Sequence, residues 1–324
     1  MPELPEVETV KRGLEKLLIG HTILSIDFDW PKSFPNNPED VRQFLVGAKV
    51  TGIRRRAKVL LIDLSSNYTL VIHLKMTGQL VYVRSSEQSH ESRVTSHEED
   101  MQTIYHNSKF IPHISVGVAD TRFGAGHPND SLISRLPDRS TRVEFTLDND
   151  ARLFFNDQRK FGWVRLYPTV EVPNIDFMKK VGPEPLEGDF TFSVFSSQLR
   201  KRKNSIIKAV LLDQTIIAGI GNIYADESLW GAKIHPETRV VDIPTSKLKK
   251  LHSEIIYVLE LSIEKGGSTD RNYVNAEGKR GSYIDFARVF RKEGTPCSRC
   301  GTEIIKIRAA ARGTHLCPKC QQST

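Results

Sequence analysis

The chain begins Met-Pro-Glu-Leu-Pro-Glu-Val-Glu. Removal of Met1 exposes the secondary amine of Pro2. An α-amino group has a pKa of about 7.7–8.0, so roughly a tenth or more is neutral and nucleophilic at pH 7. Attack by a secondary amine on an aldehydic carbon gives an iminium, which is cationic without a proton and serves as an electron sink for eliminations. Glu3, covalently adjacent, can supply general acid–base chemistry beside the reacting carbon. Helix punctuation accounts for the next few residues: Pro5 suits a first turn, and Glu6 and Glu8 suit its positive dipole end. It leaves Pro2 and Glu3 without a structural role.

The other end carries a second kind of chemistry. Cys297, Cys300, Cys317 and Cys320 form C-x2-C, sixteen residues, C-x2-C. Two such knuckles can aim four thiolates at one tetrahedral Zn2+, with no open position, so the spacing predicts one structural zinc ribbon. Disulfides are disfavoured in the cytosol, where the composition places the chain. The same tail is basic, and "ARGTH" at its bend is a compact way to hold Arg312 against phosphate.

Three stretches look built for nucleic acid. In "LLDQTIIAGIGNIYADE", Gly219 and Gly221 allow tight turns and Asn222 sits where an N-cap belongs, at a helix start able to bind phosphate. "HLKMTGQL" puts Met76 beside a glycine turn. "NDQRKFGWV" puts Arg159 and Phe161 at a turn closed by Gly162. A flexible apolar side chain, a cation and an aromatic could fill the gap left by an extruded base.

These residues need a scaffold of two domains, the default for 324 residues. The charge of +7 and pI near 9.1 favour a polyanionic partner. Hydrophobic content of 39% with 26% charged residues describes a globular protein. No apolar run reaches the length of a membrane span, and no signal segment precedes the start, so a cytoplasmic chain is expected. "PEVETVKRGLEKLLIG" reads as a leading helix stopped at Gly20. Strand-like runs come after it: "TILSIDFDW", "KVTGIRRRAKVLLIDL", "YTLVIHLKMTGQLVYV", "RVEFTLDN", "ARLFFNDQ" and "GWVRLYP". The fold class is α+β multidomain: a β-sandwich with leading helix over 1–176, a helical unit over 177–290, and a β-hairpin zinc ribbon over 291–324. A polar segment, about 84–140, reads as an inserted loop. It carries His90, His97, His106, His113 and His127, for which a metal-dependent nuclease site is a weaker alternative.

"MPELPEVETV", "HLKMTGQL", "NDQRKFG", "LLDQTIIAGIGNIYADE", "GGS…NAEGKRGSY" and "CSRCG…ARGTHLCPKC" resemble, in order, the landmarks of bacterial formamidopyrimidine-DNA glycosylases. The resemblance covers the chain except the polar segment. It implies a helix–two-turn–helix in the second domain and a bifunctional glycosylase and abasic-site lyase acting on oxidised purines in double-stranded DNA. By that resemblance, Pro2 attacks C1′, Glu3 assists base loss and ring opening, and β,δ-elimination completes the reaction. The chemistry would lie in a cleft between the domains. Glu6 would line the pocket, Lys58 would bind phosphate near the lesion, and His73 would lie beside that backbone. Met76, Arg159 and Phe161 would fill the void, while Asn222 and Arg312 would clamp phosphates.

Two departures from the family pattern stand out. Gln158 and Lys160 replace a proline and a second arginine in the wedge turn, and Lys160 lacks the planar fork. "PDRST" stands where the family carries a Lys-His pair. A decoy, "DTRFG" around Arg122, lies in the polar segment and shows no flanking strand pattern. Rival readings are an endonuclease VIII-type enzyme for oxidised pyrimidines, against which Leu4 argues, and a non-catalytic damaged-DNA binder, against which Pro2 and Glu3 argue. With no heptad pattern or symmetric apolar stripe, a monomer is expected.

Overall fold

The computed structural model describes residues 2–84, 105–106, 121–127, 130–268 and 283–322. These fall into two compact units. One holds Pro2 and the described residues of 6–175. The other holds Glu3–Pro5, Asp176–Ser268 and 283–322.

In the first unit, helix α1 (Leu4–Leu18) places Val7, Val10, Leu14 and Leu18 on one buried face, and Gly20 comes after it at φ +90°. Ten strands complete the unit: β1 (Ile23–Phe28), β2 (Val50–Arg56), β3 (Val59–Leu64), β4 (Tyr68–His73), β5 (Gly78–Arg84), β6 (Tyr105–His106), β7 (Thr121–Gly126), β8 (Thr141–Leu147), β9 (Arg152–Asp157) and β10 (Trp163–Pro168). They form a six-stranded sheet, β6-β1-β8-β9-β5-β7, and a four-stranded sheet, β10-β4-β3-β2. One apolar core draws Ile26, Leu80, Val143 and Phe155 from the first sheet, Leu60, Ile62, Ile72 and Val164 from the second, and α1's inner face. This is the expected sandwich with its leading helix.

The run "KVTGIRRRAKVLLIDL" is two strands, not one. It folds back at Ala57–Lys58, with Ala57 at φ +53°. Lys58 therefore sits on a hairpin turn. The end of the polar segment is also core rather than loop. Strand β7 pairs with β5 along its whole length, and Phe123 packs so closely on α1 that a β-carbon at Gly13 would meet its ring at 2.1 Å. Leu132 and Leu136 join Val81, Val83 and Phe154 in a further apolar cluster. Arg122 lies inside β7, contrary to its bland sequence context. Its guanidinium donates to the carbonyls of Ser131, Leu132 and Ser134, which ties down the loop after β7. Of the five histidines in the segment, His90, His97 and His113 lie outside the described residues.

The second unit is helical: α2 (Phe192–Arg200), α3 (Ile207–Leu212), α4 (Asn222–Ala232) and α5 (Thr245–Glu264). Leu4 joins its core with Leu211, Ile220, Tyr224, Leu229 and Ile255. A two-stranded ribbon, β11 (Ile305–Ala309) and β12 (Arg312–Leu316), packs through Ile304, Cys297 and Cys317 onto Trp230 of α4. Arg299 stacks on the Trp230 ring at 3.7 Å and donates to the Trp230 carbonyl at 2.9 Å. No described helix is long and apolar enough to cross a membrane.

Candidate nucleic-acid interface and active site

The chain between α3 and α4 makes two tight turns, and one side chain organises them. Gln214 accepts from the Gly219 amide at 2.9 Å and donates to the Ile220 carbonyl at 2.8 Å. Gly219 takes φ +82°, and its carbonyl receives the Leu4 amide at 3.1 Å. The sequence pattern puts Asn222 at the N-cap. The cap is instead Gly221, and Asn222 is the first helical residue. Its side chain is therefore released from capping, and its amide donates to the Gly313 carbonyl at 3.0 Å.

Gly221 has another reason to be glycine. A β-carbon there would fall 2.1–2.5 Å from the Glu3 carboxylate. Glu3 is buried, and its Oε1 accepts the Ile223 amide at 3.2 Å. The carboxylate thus rests on the N-terminus of an eleven-residue helix, where amide dipoles favour negative charge. Pro2, the preceding residue, is buried, as is Glu6 in α1.

The ribbon reaches the same helix. Its bend is Ala310–Ala311, both at positive φ, and Arg312 opens β12, exposed. Beneath it, Lys208 is wholly buried. Its Nζ donates to Asp226 Oδ1 at 2.5 Å and to Thr314 Oγ1 at 2.6 Å. Asp226 Oδ2 accepts the His315 amide at 2.9 Å, and His315 Nε2 lies 3.0 Å from Glu293. Burial drives the Lys208 pKa below the ordinary lysine value, while Asp226 opposes that shift. This network locks β12 to α3 and α4 and brings Asn222 and Arg312 together around Gly313. No motif points to it. Its one signal in the sequence is a lysine and an aspartate set within apolar helical runs, "SIIKAVLL" and "IYADESLW".

The four thiols lie within 4.8 Å of one another, with Cys300 and Cys317 Sγ 3.4 Å apart. Sulfurs about 2.3 Å from a tetrahedral zinc stand roughly 3.8 Å apart, so the set fits one ion. Among the described residues it is the one His, Cys, Asp and Glu group placed to hold a metal. With four thiolates the site is structural.

In the first unit the wedge candidates are positioned by topology. Chain passes between the two sheets at β4→β5 and at β9→β10. Because β5 pairs with β9 (Gly78 opposite Asp157) and β10 with β4 (Trp163 opposite His73), the two crossings lie side by side. Met76 is half-buried on one. Arg159 and Phe161 are exposed on the other, with the guanidinium 4.9 Å from the Phe161 ring. Buried Asp157 joins the turns. It accepts the Thr77 hydroxyl of the first, and the amides of Arg159 at 3.2 Å and Gly162 at 2.6 Å in the second. Lys160, at φ +57°, lays its ammonium 4.3 Å from the Trp30 ring, so this residue serves the turn through a cation–π contact.

Lys58 and His73 are both buried close by. Desolvation, aided by the Lys75 and Lys58 charges, drives His73 down to about 3. It is neutral at pH 7. Its Nδ1 accepts the Lys75 amide at 3.1 Å, which leaves Nε2 as the protonated nitrogen and a donor.

A helix–two-turn–helix braced by a four-cysteine ribbon, beside a buried carboxylate at Glu3, is the architecture of a zinc-bearing DNA glycosylase. The comparisons narrow the class. Residues 1–164 match the formamidopyrimidine-DNA glycosylase N-terminal domain, 181–273 its H2TH domain, and 294–322 a zinc finger found in FPG and IleRS. The chain is 37% identical to the formamidopyrimidine-DNA glycosylase of Latilactobacillus sakei, covering 99% of this chain and 98% of that one. The Streptococcus mutans enzyme of the same name is also 37% identical, at 99% and 100% coverage. A Lactococcus lactis FPG mutant complexed with Fapy-dG DNA superposes with a TM-score of 0.78 at 35% identity, covering 99% of this chain and all of that one. The chain belongs to the formamidopyrimidine-DNA glycosylase family.

Proposed function

We propose that this chain excises oxidised purines, 8-oxoguanine and formamidopyrimidines, from duplex DNA and then cleaves the resulting abasic strand. The observation that carries this reading is the Glu3 carboxylate, fixed and buried one residue from Pro2. After Met1 is removed, the Pro2 nitrogen bonds to C1′ as the bond to the damaged base breaks. Glu3 donates a proton to open the sugar ring, which leaves an iminium at C1′. Loss of a C2′ proton then expels the 3′ phosphate, and a further elimination expels the 5′ phosphate. The amine itself is the nucleophile, so no water need be activated for base loss.

Extruding a base costs a few kcal/mol of stacking and pairing. Met76, Arg159 and Phe161 offset that cost by occupying the vacated space. Lys58, His73, Asn222 and Arg312 hold the backbone, and Glu6 lines the pocket. A Lactococcus lactis relative has been solved with DNA containing an oxidised pyrimidine. That favours a second, slower activity of the same nucleophile on such lesions. The enzyme would work as a monomer in the cytoplasm, where the bacterial chromosome lies.

Borohydride trapping on an 8-oxoguanine duplex tests the mechanism. The mature protein should form a covalent adduct through its terminal nitrogen. Pro2→Gly should slow trapping and Glu3→Gln should block base release while leaving preformed abasic DNA a substrate. A fully active enzyme that retains Met1 refutes the scheme.

A further inference from the structure

Lys75 and Arg165 belong neither to the wedge nor to the phosphate clamps. Lys75 precedes Met76 in the β4→β5 crossing and takes φ +52°. Arg165 lies in β10, one edge of the four-stranded sheet, paired across from Val71. Its guanidinium rests 4.7 Å from the Trp163 ring, and Trp163 in turn meets His73 edge-on at 5.8 Å. Both cations are half-buried. Neither has a carboxylate partner among the described residues. Arg165 has one long bond, 3.4 Å from Nη1 to the Tyr167 hydroxyl, and its Nε is buried with no partner at all. Asp40 lines the same hollow as Arg165 without forming an ion pair with it. The two charges feel each other: burial, and then Arg165, lower the Lys75 pKa.

Arg165 packs on Trp163, Trp163 meets His73, and the Lys75 amide bonds His73, so the two half-buried cations lie at one end of the sheet. Without an acid between them they raise the free energy of the unliganded protein. An external anion relieves it. The rigid guanidinium supplies directional donors, the ammonium a point charge, and the Trp163 ring fixes the fork in place. We infer that Lys75 and Arg165 together seat one backbone phosphate of the DNA duplex, beside the turns that carry Met76, Arg159 and Phe161. The inference rests on the reading of the chain as a DNA glycosylase. It adds a positioning contact to those of Lys58, His73, Asn222 and Arg312.

The test is equilibrium binding of the full-length protein to a duplex carrying a tetrahydrofuran abasic analogue, read by fluorescence anisotropy across a salt series. Lys75→Ala and Arg165→Ala should each weaken binding by about three- to tenfold and lower the salt slope by about 1. The double variant should also lose about 1, because both side chains share one phosphate. Arg165→Lys should recover the slope. Arg239→Ala, which removes an exposed cation paired with Asp242, should leave it unchanged. Unchanged slopes in the single variants or a loss of about 2 in the double would each overturn the shared seat. Borohydride trapping by the same preparations separates the two readings. Normal trapping with unchanged slopes sinks the seat alone, whereas no trapping by the unsubstituted protein sinks the enzymatic reading.

Discussion

At Gly221 the space for a side chain is already taken by the Glu3 carboxylate, whose carbon and oxygens stand 2.1, 2.3 and 2.5 Å from where a β-carbon would fall. Neither side can yield cheaply, because Glu3 is buried and Gly221 caps α4. Gly221→Ala should displace the carboxylate by about an ångström and slow base excision about 100-fold in single-turnover assays. Cleavage of preformed abasic DNA should suffer less, since base loss has already occurred. His73 gives a second prediction. Its folded pKa of about 3 lies below the ordinary 6.5, so between those values the unfolded chain takes up a proton that the folded chain refuses. Stability therefore falls as pH drops through that window, by about 1–3 kcal/mol from this residue. His73→Gln should flatten that part of the pH–stability curve, measured by denaturant titration. A His73-dependent rise in stability on acidification would contradict the assigned neutral ring.

At the scale of elements, the two crossings between sheets act as one piece because Asp157 binds both. Asp157→Ala would leave the Gly162 amide without its acceptor. Stability should fall by about 1–3 kcal/mol in thermal or chemical unfolding. On the proposed role of Met76, Arg159 and Phe161, affinity for lesion duplexes should fall further than for undamaged DNA. Helices and strands with regular apolar spacing are legible in the sequence: α1 and the paired strands around Ser65 and Asp150 fall where the periodicity puts them. Several turns are not. Ala57, Lys75, Lys160, Ala310 and Ala311 all take positive φ, where glycine or asparagine is the usual marker. Strand β7 is hidden because "TRFGAG" carries two glycines and no clean alternation. The α4 cap stands one residue before Asn222 for a related reason: it had to be glycine to admit Glu3, which lies far away in sequence.

At the scale of the molecule, the ribbon has little core of its own. Its apolar contacts are Trp230, Val289, Ile304 and two of the cysteines themselves. Structural zinc sites supply folding free energy outright. Zinc removal by a chelator, or Cys297→Ser, should unfold β11 and β12 while the first unit remains folded. It should also free Asn222 from Gly313 and strand Lys208 without Thr314, lowering affinity for damaged duplexes at least tenfold. Circular dichroism with a zinc-release dye would track the unfolding, and anisotropy the binding. The cysteine spacing makes this centre readable from sequence alone, because each knuckle is local. The Lys208–Asp226–Thr314 lock is not readable, because it joins positions 18 and 106 residues apart.

The Asp157 tie also bears on how such an enzyme searches a genome. On the proposed role of Met76, Arg159 and Phe161, a tip whose two turns are cross-braced has no folding step to complete before it tests a base pair. Each interrogation then lasts as long as the double helix takes to open, not as long as a loop takes to find its shape. Sound pairs, which open rarely, are passed over quickly, and weakened pairs are caught at the moment they yield.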